Sequence, residues 1–215
     1  MQRLALFDLD RTLIDLDTAF VTWAEEFAEQ RRLGPEGVAW LVSLDRAGHP
    51  HREVFFGKVR EHFRLTEAVE ELWAAYRRRM PYLVQCYPRV REALAALRDA
   101  GWRIGIVTNG MADNQLGKLR RTGLADAVDG YAVSGAEGIR KPEVGIFEIA
   151  AERCGASLAQ GGWMVGDNPI ADIEGARAAG LRAIWINRGT EPVNKHQADH
   201  VVTDVIEGIA ILDRQ

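Results

Sequence analysis

The sequence predicts an α/β fold in which helices cover both faces of a parallel sheet, together with an inserted all-helical domain. After residue 88, short apolar runs typical of buried strands alternate with amphipathic helical runs. Such alternation is characteristic of a parallel sheet between two layers of helices. Residues 15–85 contain helical runs but no convincing strand, although one strand precedes them. We therefore predict a core formed by residues 1–14 and 86–215, and a helical insertion formed by residues 15–85.

The elements of the core follow from apolar runs and from the residues that bound them. The first strand is the apolar run Leu4–Phe7. Pro88 and Gly101 bound the next helix, because proline favours the start of a helix and glycine the residue after its end. The remaining strands are predicted at 102–107, 131–133, 163–165, 182–186 and 200–202. The remaining helices are predicted around Leu116 and Leu119, at about 143–154, through Ile173 and Ala176, and through Val205, Ile209 and Leu212.

The insertion is predicted to fold around its own aromatic side chains. One helix presents an apolar face formed by Phe20, Trp23, Ala24 and Phe27, and another presents a face formed by Val69, Leu72, Trp73, Tyr76 and Met80. Two further helices are predicted near 35–44 and 52–63. Large aromatic side chains more often fill a core than bind a substrate, so we assign those of the insertion to packing.

The composition excludes several classes of protein. Lys and Arg number 27 against 31 Asp and Glu, for a net charge of -4 without a long basic tract, which disfavours nucleic-acid binding. Cys86 and Cys154 are too few and too far apart for a disulfide framework or a zinc site, and Cys154 is expected to be a buried thiol. Met1 leads directly into the first strand, and no apolar run is long enough to cross a bilayer. A cytoplasmic protein is therefore expected, while its oligomeric state is not readable.

Four polar clusters each follow a predicted strand. They are Asp8 with Asp10, Thr108 to Gly110, Lys141 with Pro142, and Gly166 to Asp172. Alternate residues of an extended chain point to the same side, so the first two aspartates can enter one site. In an open α/β sheet the ligand crevice lies at the carboxyl ends of the strands. We therefore expect the four clusters to converge on one crevice.

The chemistry of these clusters fits a phosphoryl group. Asp8, Asp10 and Asp167 offer the oxygen ligands that Mg²⁺ prefers, and Lys141 adds a positive charge. Phosphoryl transfer requires mainly positioning and neutralisation of charge. No Ser-His-Asp set is apparent, so a carboxylate is the natural nucleophile. Asp8 is ionised at neutral pH and needs no base, and Asp10 would protonate the departing oxygen and later deprotonate the attacking water.

Taken in order, these motifs resemble the four motifs of the haloacid dehalogenase (HAD) superfamily. The motifs are Asp8-Leu9-Asp10-Arg11-Thr12, Thr108-Asn109-Gly110, Lys141-Pro142 and Gly166-Asp167 through Asp172. The segment from Val165 to Asn187 is similar to HAD phosphatases that carry a helical cap after the first motif. The resemblance implies a Rossmann-like core, a cap domain that closes over the crevice, and Mg²⁺ as cofactor.

The resemblance also implies a role for each matching residue. Asp8 would be nucleophile and metal ligand, Asp10 acid/base and a ligand through its backbone carbonyl, and Asp167 a ligand directly or through water. Thr108, Asn109 and Lys141 would hold the phosphoryl group, and Asp172 would orient Lys141 or support the metal shell. Two residues depart from the family pattern: Arg11 replaces a frequent glycine, and Ala171 replaces a frequent asparagine. Neither departure removes a catalytic group.

The leading hypothesis is a magnesium-dependent phosphatase that acts on a small phosphorylated metabolite through an aspartyl-phosphate intermediate. A haloacid dehalogenase would use the same nucleophile on carbon, but that branch lacks the second aspartate, so Asp10 argues against it. A phosphosugar mutase shares the intermediate and stays open. A receiver-like signalling module would carry its phosphorylated aspartate later in the chain and no helical insertion. A catalytically silent protein of the same fold is disfavoured by the intact motifs.

Overall fold

A computed structural model describes residues 2–48, 51–189 and 198–215 of the chain. The chain divides into two units by the density of its internal contacts. The first unit, Met1–Asp15 with Gln85–Gln215, is called the sheet unit below. The second, Leu16–Val84, is called the helical unit.

The sheet unit is built on a parallel sheet that, within the described residues, has six strands in the order β3-β2-β1-β4-β5-β6. The strands are β1 Leu4–Phe7, β2 Arg103–Thr108, β3 Gly130–Val133, β4 Trp163–Gly166, β5 Arg182–Ile186 and β6 His200–Val202. This is the strand order of a Rossmann-like doubly wound sheet. The predicted fold class is confirmed.

The helical unit contains four α-helices among its described residues. They are α1 Leu16–Arg31, α2 Gly34–Arg46, α3 Arg52–His62 and α4 Val69–Arg79, followed by a 3₁₀ turn at Met80–Tyr82. Trp23, Phe55 and Phe56 are buried, and the ring of Trp23 meets that of Phe56 edge to face, with centroids 5.8 Å apart. These aromatic side chains form the core of the unit, as predicted.

The helices of the sheet unit lie on both faces of its sheet. They are α5 Val90–Asp99, α6 Ala112–Arg121, α7 Leu124–Ala127, α8 Ser134–Glu137, α9 Val144–Arg153, α10 Gly175–Ala178 and α11 Val205–Leu212. On one face, Met164 belongs to the apolar core that includes Phe147 of α9. On the other, Val165 and Ile184 lie against Gly208 of α11. Consecutive side chains of a strand point to opposite faces, so both faces are covered.

The predicted elements appear in the predicted order, with one difference in kind. The segment through Ile173 was expected to be a single α-helix, but it forms a π-helical turn at Pro169–Glu174 before α10 begins. Cys154 is buried, as expected, and burial raises the pKa of its thiol to about 12. Among the helices that the structure describes, none combines the length and apolarity needed to cross a membrane.

Candidate active site

The connections of the sheet place a crevice beside the ends of β1 and β4. From β1 the chain proceeds to β2 and β3 on one side, whereas β4, β5 and β6 lie on the other. Such a reversal of direction leaves space at the carboxyl ends of the two central strands. Asp8 directly follows β1, and Asp167 directly follows β4. The strand order therefore places two carboxylates at the position where an open α/β sheet binds its ligand.

Three carboxylates meet at this position. Asp8, Asp167 and Asp172 each offer an oxygen, and these oxygens all lie within 4.8 Å of one another. Asp172 is completely buried, and Asp8 is 7% exposed. Carboxylates this close repel one another strongly away from bulk water. The cluster therefore requires positive charge.

Lys141 supplies part of that charge. Its Nζ donates to Asp8 Oδ1 and to Asp172 Oδ1, at 2.6 Å in each case, and its side chain is only 2% exposed. Burial opposes the charged form, but Asp172 and Asp8 outweigh it and raise the pKa of Lys141 above its usual range. The ammonium group is thus retained as a fixed bridge between the two carboxylates.

The loop that carries Lys141 is held by Asn109, just after β2. Asn109 Nδ2 donates to the carbonyl oxygen of Lys141 at 3.0 Å, and the Lys141 N–H donates to Asn109 Oδ1 at 2.9 Å. Both polar atoms of the amide are used in this pair of bonds. The Asn109 side chain therefore positions the lysine backbone.

The loop after β4 fixes Asp172. Asn168 Oδ1 accepts hydrogen bonds from the N–H groups of Ile170 (3.1 Å) and Ala171 (2.9 Å), while the Asn168 N–H donates to Asp172 Oδ2 at 2.9 Å. The two residues cap the turn reciprocally. At Gly166 an added Cβ would collide with the Asp172 carboxylate. A glycine at this position lets the carboxylate approach the backbone at the end of β4.

The cluster still carries an excess of negative charge. Burial raises the pKa of Asp8 well above its usual value; Lys141 opposes this, and the nearby Asp172 adds to it. Burial also raises the pKa of Asp167 to about 7, with a further contribution from Asp172 and a smaller opposing effect of Arg11. One ammonium group does not offset three carboxylates. The donor set is suited to a hard divalent cation.

Asp10 lies outside this cluster and has different partners. Lys118 Nζ donates to both of its carboxylate oxygens, at 2.7 and 2.9 Å. Gln115 Nε2 donates to Asp10 Oδ2 at 2.9 Å and to Thr108 Oγ1 at 2.7 Å. Thr108 and Asp10, which were predicted to share the site, are thus connected through one amide group.

Gln115 and Lys118 were not among the predicted site residues. Both lie on α6 with Leu119, at the spacing of residues that share one face of a helix, and all three are buried. Buried lysines and glutamines are uncommon unless they are paired. Two polar residues on the buried face of an amphipathic helix were the signal that could have revealed them.

The seven predicted site residues thus lie in two groups, at the end of β2 or in the segments that follow β1, β2, β3 and β4. The first group contains Asp8, Asn109, Lys141, Asp167 and Asp172, and the second contains Asp10 and Thr108. Thr12 is completely buried, and its Oγ1 has no hydrogen-bond partner among the described residues. Arg11 takes a left-handed conformation with φ of 58°.

Comparison with known proteins gives one family. A family model described as haloacid dehalogenase-like hydrolase matches residues 5–186. The phosphoserine phosphatase of Thermus thermophilus is 34% identical over 185 residues, which cover 82% of this chain and 72% of that protein. The glyceraldehyde 3-phosphate phosphatase of Pyrococcus furiosus is 30% identical over 132 residues, covering 60% of this chain and 55% of the relative.

Solved structures agree with this result at the level of the fold. A HAD phosphatase from Thermococcus onnurineus is 30% identical, with a TM-score of 0.68 over 99% of this chain and 98% of that one. The putative HAD hydrolase YfnB from Bacillus subtilis, bound to magnesium, has a TM-score of 0.84 at 23% identity and covers 98% of both chains.

Proposed function

Because this chain belongs to the haloacid dehalogenase-like hydrolases and is a phosphatase of that family, we propose that it hydrolyses a small phosphomonoester with the help of Mg²⁺. The motif resemblance that led to the family is thereby confirmed. One observation carries the proposal: Lys141 bridges Asp8 and Asp172 in a buried cluster that also contains Asp167. Such a cluster combines a carboxylate nucleophile with groups that neutralise a phosphate.

Asp8 is the proposed nucleophile. One of its carboxylate oxygens attacks phosphorus, the bond from phosphorus to the leaving oxygen breaks, and an aspartyl-phosphate forms. Its backbone N–H donates to the carbonyl oxygen of Val165 on β4 at 2.9 Å, which fixes the residue at the carboxyl end of β1. A rigid position is what this step requires, because most of the barrier concerns alignment and charge.

Asp10 is the proposed acid and base. It gives a proton to the leaving oxygen in the first step. In the second step a water attacks phosphorus, Asp10 takes a proton from that water, and the bond between phosphorus and Asp8 breaks. The products are the alcohol and inorganic phosphate, and both aspartates return to their starting forms.

Three residues are proposed to hold the phosphoryl oxygens. Lys141 would do so with its ammonium group and Thr108 with its hydroxyl. Asn109 would contribute through its backbone, since its side chain is engaged with the Lys141 loop. Preorganised donors of this kind stabilise the charge that develops in the transition state.

Magnesium is the proposed cofactor, because three clustered carboxylate oxygens and an excess of negative charge match its preference for oxygen ligands. Asp8, Asp167 and the backbone carbonyl of Asp10 would hold the ion, with Asp172 supporting Lys141 and the metal shell. When bound, the ion would keep Asp8 ionised and neutralise the charge of the phosphate.

The proposed substrate is a small phosphorylated metabolite, and the helical unit is proposed to act as the cap that selects it. Relatives of this chain are named as a phosphoserine phosphatase, a glyceraldehyde 3-phosphate phosphatase, a ribulose-1,5-bisphosphate 5-phosphatase and a pyrimidine 5'-nucleotidase. These names define the panel of phosphate esters to test first. A cytoplasmic location and the lack of a nucleic-acid partner stay predictions from the sequence.

The test of this function is hydrolysis of 4-nitrophenyl phosphate with and without Mg²⁺. We expect magnesium-dependent release of phosphate from the wild type, and a loss of at least about 10³-fold in Asp8→Asn, because an amide is a poor nucleophile. Asp99→Asn, an exposed aspartate of α5, is the matched control and keeps full activity. Turnover that persists in EDTA, or in Asp8→Asn, would contradict the mechanism.

Two further assays separate the alternatives. A dehalogenase would release halide from a 2-haloacid without Mg²⁺, and a mutase would return the phosphoryl group to a second hydroxyl of a sugar phosphate. Asp10 favours the phosphatase over the dehalogenase, since attack on carbon with loss of halide needs no acid at a leaving oxygen.

A further inference from the structure

We propose that Lys118 and Gln115 of α6 are positioning residues that aim the carboxylate of Asp10 at the leaving oxygen. The inference rests on the proposed phosphatase function and assigns a role to two residues that the mechanism above does not use. Neither residue is in the four sequence motifs, and both lie in the sheet unit with Asp10.

Three hydrogen bonds from two side chains of α6 restrain the orientation of Asp10. Lys118 Nζ donates to both carboxylate oxygens, which holds the carboxylate towards α6. Gln115 adds a third bond, to Oδ2, and anchors itself on Thr108 at the end of β2. A carboxylate held by three hydrogen bonds has little freedom to rotate. Preorganisation of this kind is what a proton transfer in the transition state requires.

The burial of the pair argues against a role in packing alone. The side chain of Lys118 is 3% exposed, and that of Asp10 is 23% exposed. The ammonium group therefore lies beneath the carboxylate, which keeps a path to water. If the pair served packing alone, two apolar side chains in place of Lys118 and Asp10 would fill the same space without removing charges from water, and replacing a whole buried pair in this way is often neutral or stabilising.

Further contacts of α6 lie around Lys118 and Gln115. Thr122 Oγ1 donates to the carbonyl oxygen of Lys118 at 2.8 Å, and the side chain of Leu119 is completely buried beside it. The Gln115 side chain also lies against Gly110, where an added Cβ would collide with it at 2.8 Å. α6 thus connects the end of β2 to Asp10 through packed contacts.

A positioning role for a general acid predicts a dependence on the leaving group. An alkyl phosphate has a basic leaving oxygen and needs a proton from Asp10, whereas 4-nitrophenolate departs with little assistance. Loss of orientation at Asp10 therefore affects alkyl esters more than aryl esters. A residue that only stabilises the fold has no reason to distinguish the two substrates.

The experiment compares kcat and KM of Lys118→Met, Lys118→Arg and Gln115→Leu on glycerol 2-phosphate and on 4-nitrophenyl phosphate, both with Mg²⁺. For Lys118→Met we expect kcat/KM to fall about 100-fold on the alkyl ester and about 10-fold or less on the aryl ester, within the range of general-acid effects. The loss lies in kcat. Lys118→Arg restores part of the lost kcat. Gln115→Leu shows a smaller loss, which is again greater on the alkyl ester than on the aryl ester.

Arg120→Ala, an exposed cation on the same helix, is the control and leaves both substrates unaffected. Equal losses on the two substrates, no loss at all, or variants that fail to fold would each overturn the positioning role. A wild type that hydrolyses neither ester with Mg²⁺ would instead overturn the proposed function, and this inference with it. Thermal unfolding of each variant separates these outcomes.

Discussion

The two units of the protein bury different kinds of side chain. Among the described residues, the sheet unit buries nine polar or charged residues: Asp8, Thr12, Thr108, Gln115, Lys118, Thr122, Lys141, Asp172 and Asn187. In the helical unit, the Asp45 side chain is 8% exposed and is paired with Arg52 at 2.6 Å. The large buried side chains of the helical unit are aromatic or aliphatic, and include Phe20, Trp23, Phe55, Phe56 and Tyr76. Burial of apolar area stabilises a fold, whereas burial of charge opposes it unless a partner is present.

The apolar burial in the helical unit and the charged burial in the sheet unit have different roles. In the helical unit, Trp23 contacts Phe27, Phe56 and Tyr76 through tilted or edge-to-face rings with centroids 5.0 to 5.8 Å apart. Such pairs add to the stabilisation that burial already gives. In the sheet unit, buried charges cluster where four strands end. Stability explains the first pattern, and chemistry is needed to explain the second.

Among the substitutions that test this contrast between the units, the largest effect is expected at Lys141. Lys141→Met removes the cation that Asp8 and Asp172 share and a donor to the phosphoryl group, so kcat is expected to fall about 10³-fold. Steady-state hydrolysis of 4-nitrophenyl phosphate measures the loss, and Lys141→Arg is expected to recover only part of the lost activity, because a planar guanidinium group replaces a compact ammonium group.

The control for Lys141 is Arg103→Met. Arg103 begins β2, at the end of the sheet away from the site, and its side chain is exposed, so this variant is expected to keep wild-type activity. Lys141→Met with more than a tenth of wild-type kcat would show that the buried bridge is structural, and the contrast between the units would lose its functional meaning.

The next effect concerns stability in the helical unit. Trp23→Ala removes a ring that is 5% exposed and in contact with several others, so the free energy of unfolding is expected to fall by about 3–5 kcal/mol. Urea unfolding followed by circular dichroism measures it. Glu25→Ala, an exposed neighbour on α1, is the control and changes stability by less than about 0.5 kcal/mol. A loss below about 1 kcal/mol for Trp23→Ala would show that the aromatic cluster does not hold this unit together.

The sequence was sufficient for the fold because the relevant signals are local. Buried parallel strands read as apolar runs, and β5 and β6 lie where the run at 182–186 and the run at 200–202 placed them. The residues that follow β1, β2 and β4 could also be predicted as site residues, since the carboxyl ends of parallel strands meet at one edge.

The partners of those residues could not be predicted in the same way. Lys118 is 108 positions from Asp10 in the chain, and its spacing on α6 indicates only which face it shares. The engagement of the Asn109 side chain with the Lys141 backbone is likewise a contact between distant loops. The π-helical turn at Pro169–Glu174 depends on the reciprocal bonds between Asn168 and Asp172, which periodicity does not reveal.

The smallest expected effect is a gain of stability at Asp167. In the metal-free fold its pKa is raised from 3.8 to about 7, mainly by burial and then by Asp172. Between these values the folded chain holds a proton that the unfolded chain has released, so the free energy of unfolding falls as pH rises from about 4 to about 7. Asp167→Asn removes this penalty. In EDTA the variant is therefore expected to be more stable than the wild type at pH 8 and similar to it near pH 4.

Magnesium is expected to make the wild type more stable than Asp167→Asn. This reversal tests whether the destabilising charge of Asp167 binds the metal. A ligand that binds only the folded state raises its stability in proportion to the affinity, so Mg²⁺ at pH 8 is expected to raise the unfolding temperature of the wild type but not that of Asp167→Asn. Proton competition at Asp167 makes the wild-type shift smaller at pH 5.5 than at pH 8. Thermal unfolding at both pH values, with and without Mg²⁺, measures all of these. Equal stability of the two proteins in EDTA at pH 8 would show that the charge of Asp167 does not destabilise the fold. Equal shifts of the unfolding temperature with Mg²⁺ would remove Asp167 from the proposed metal site.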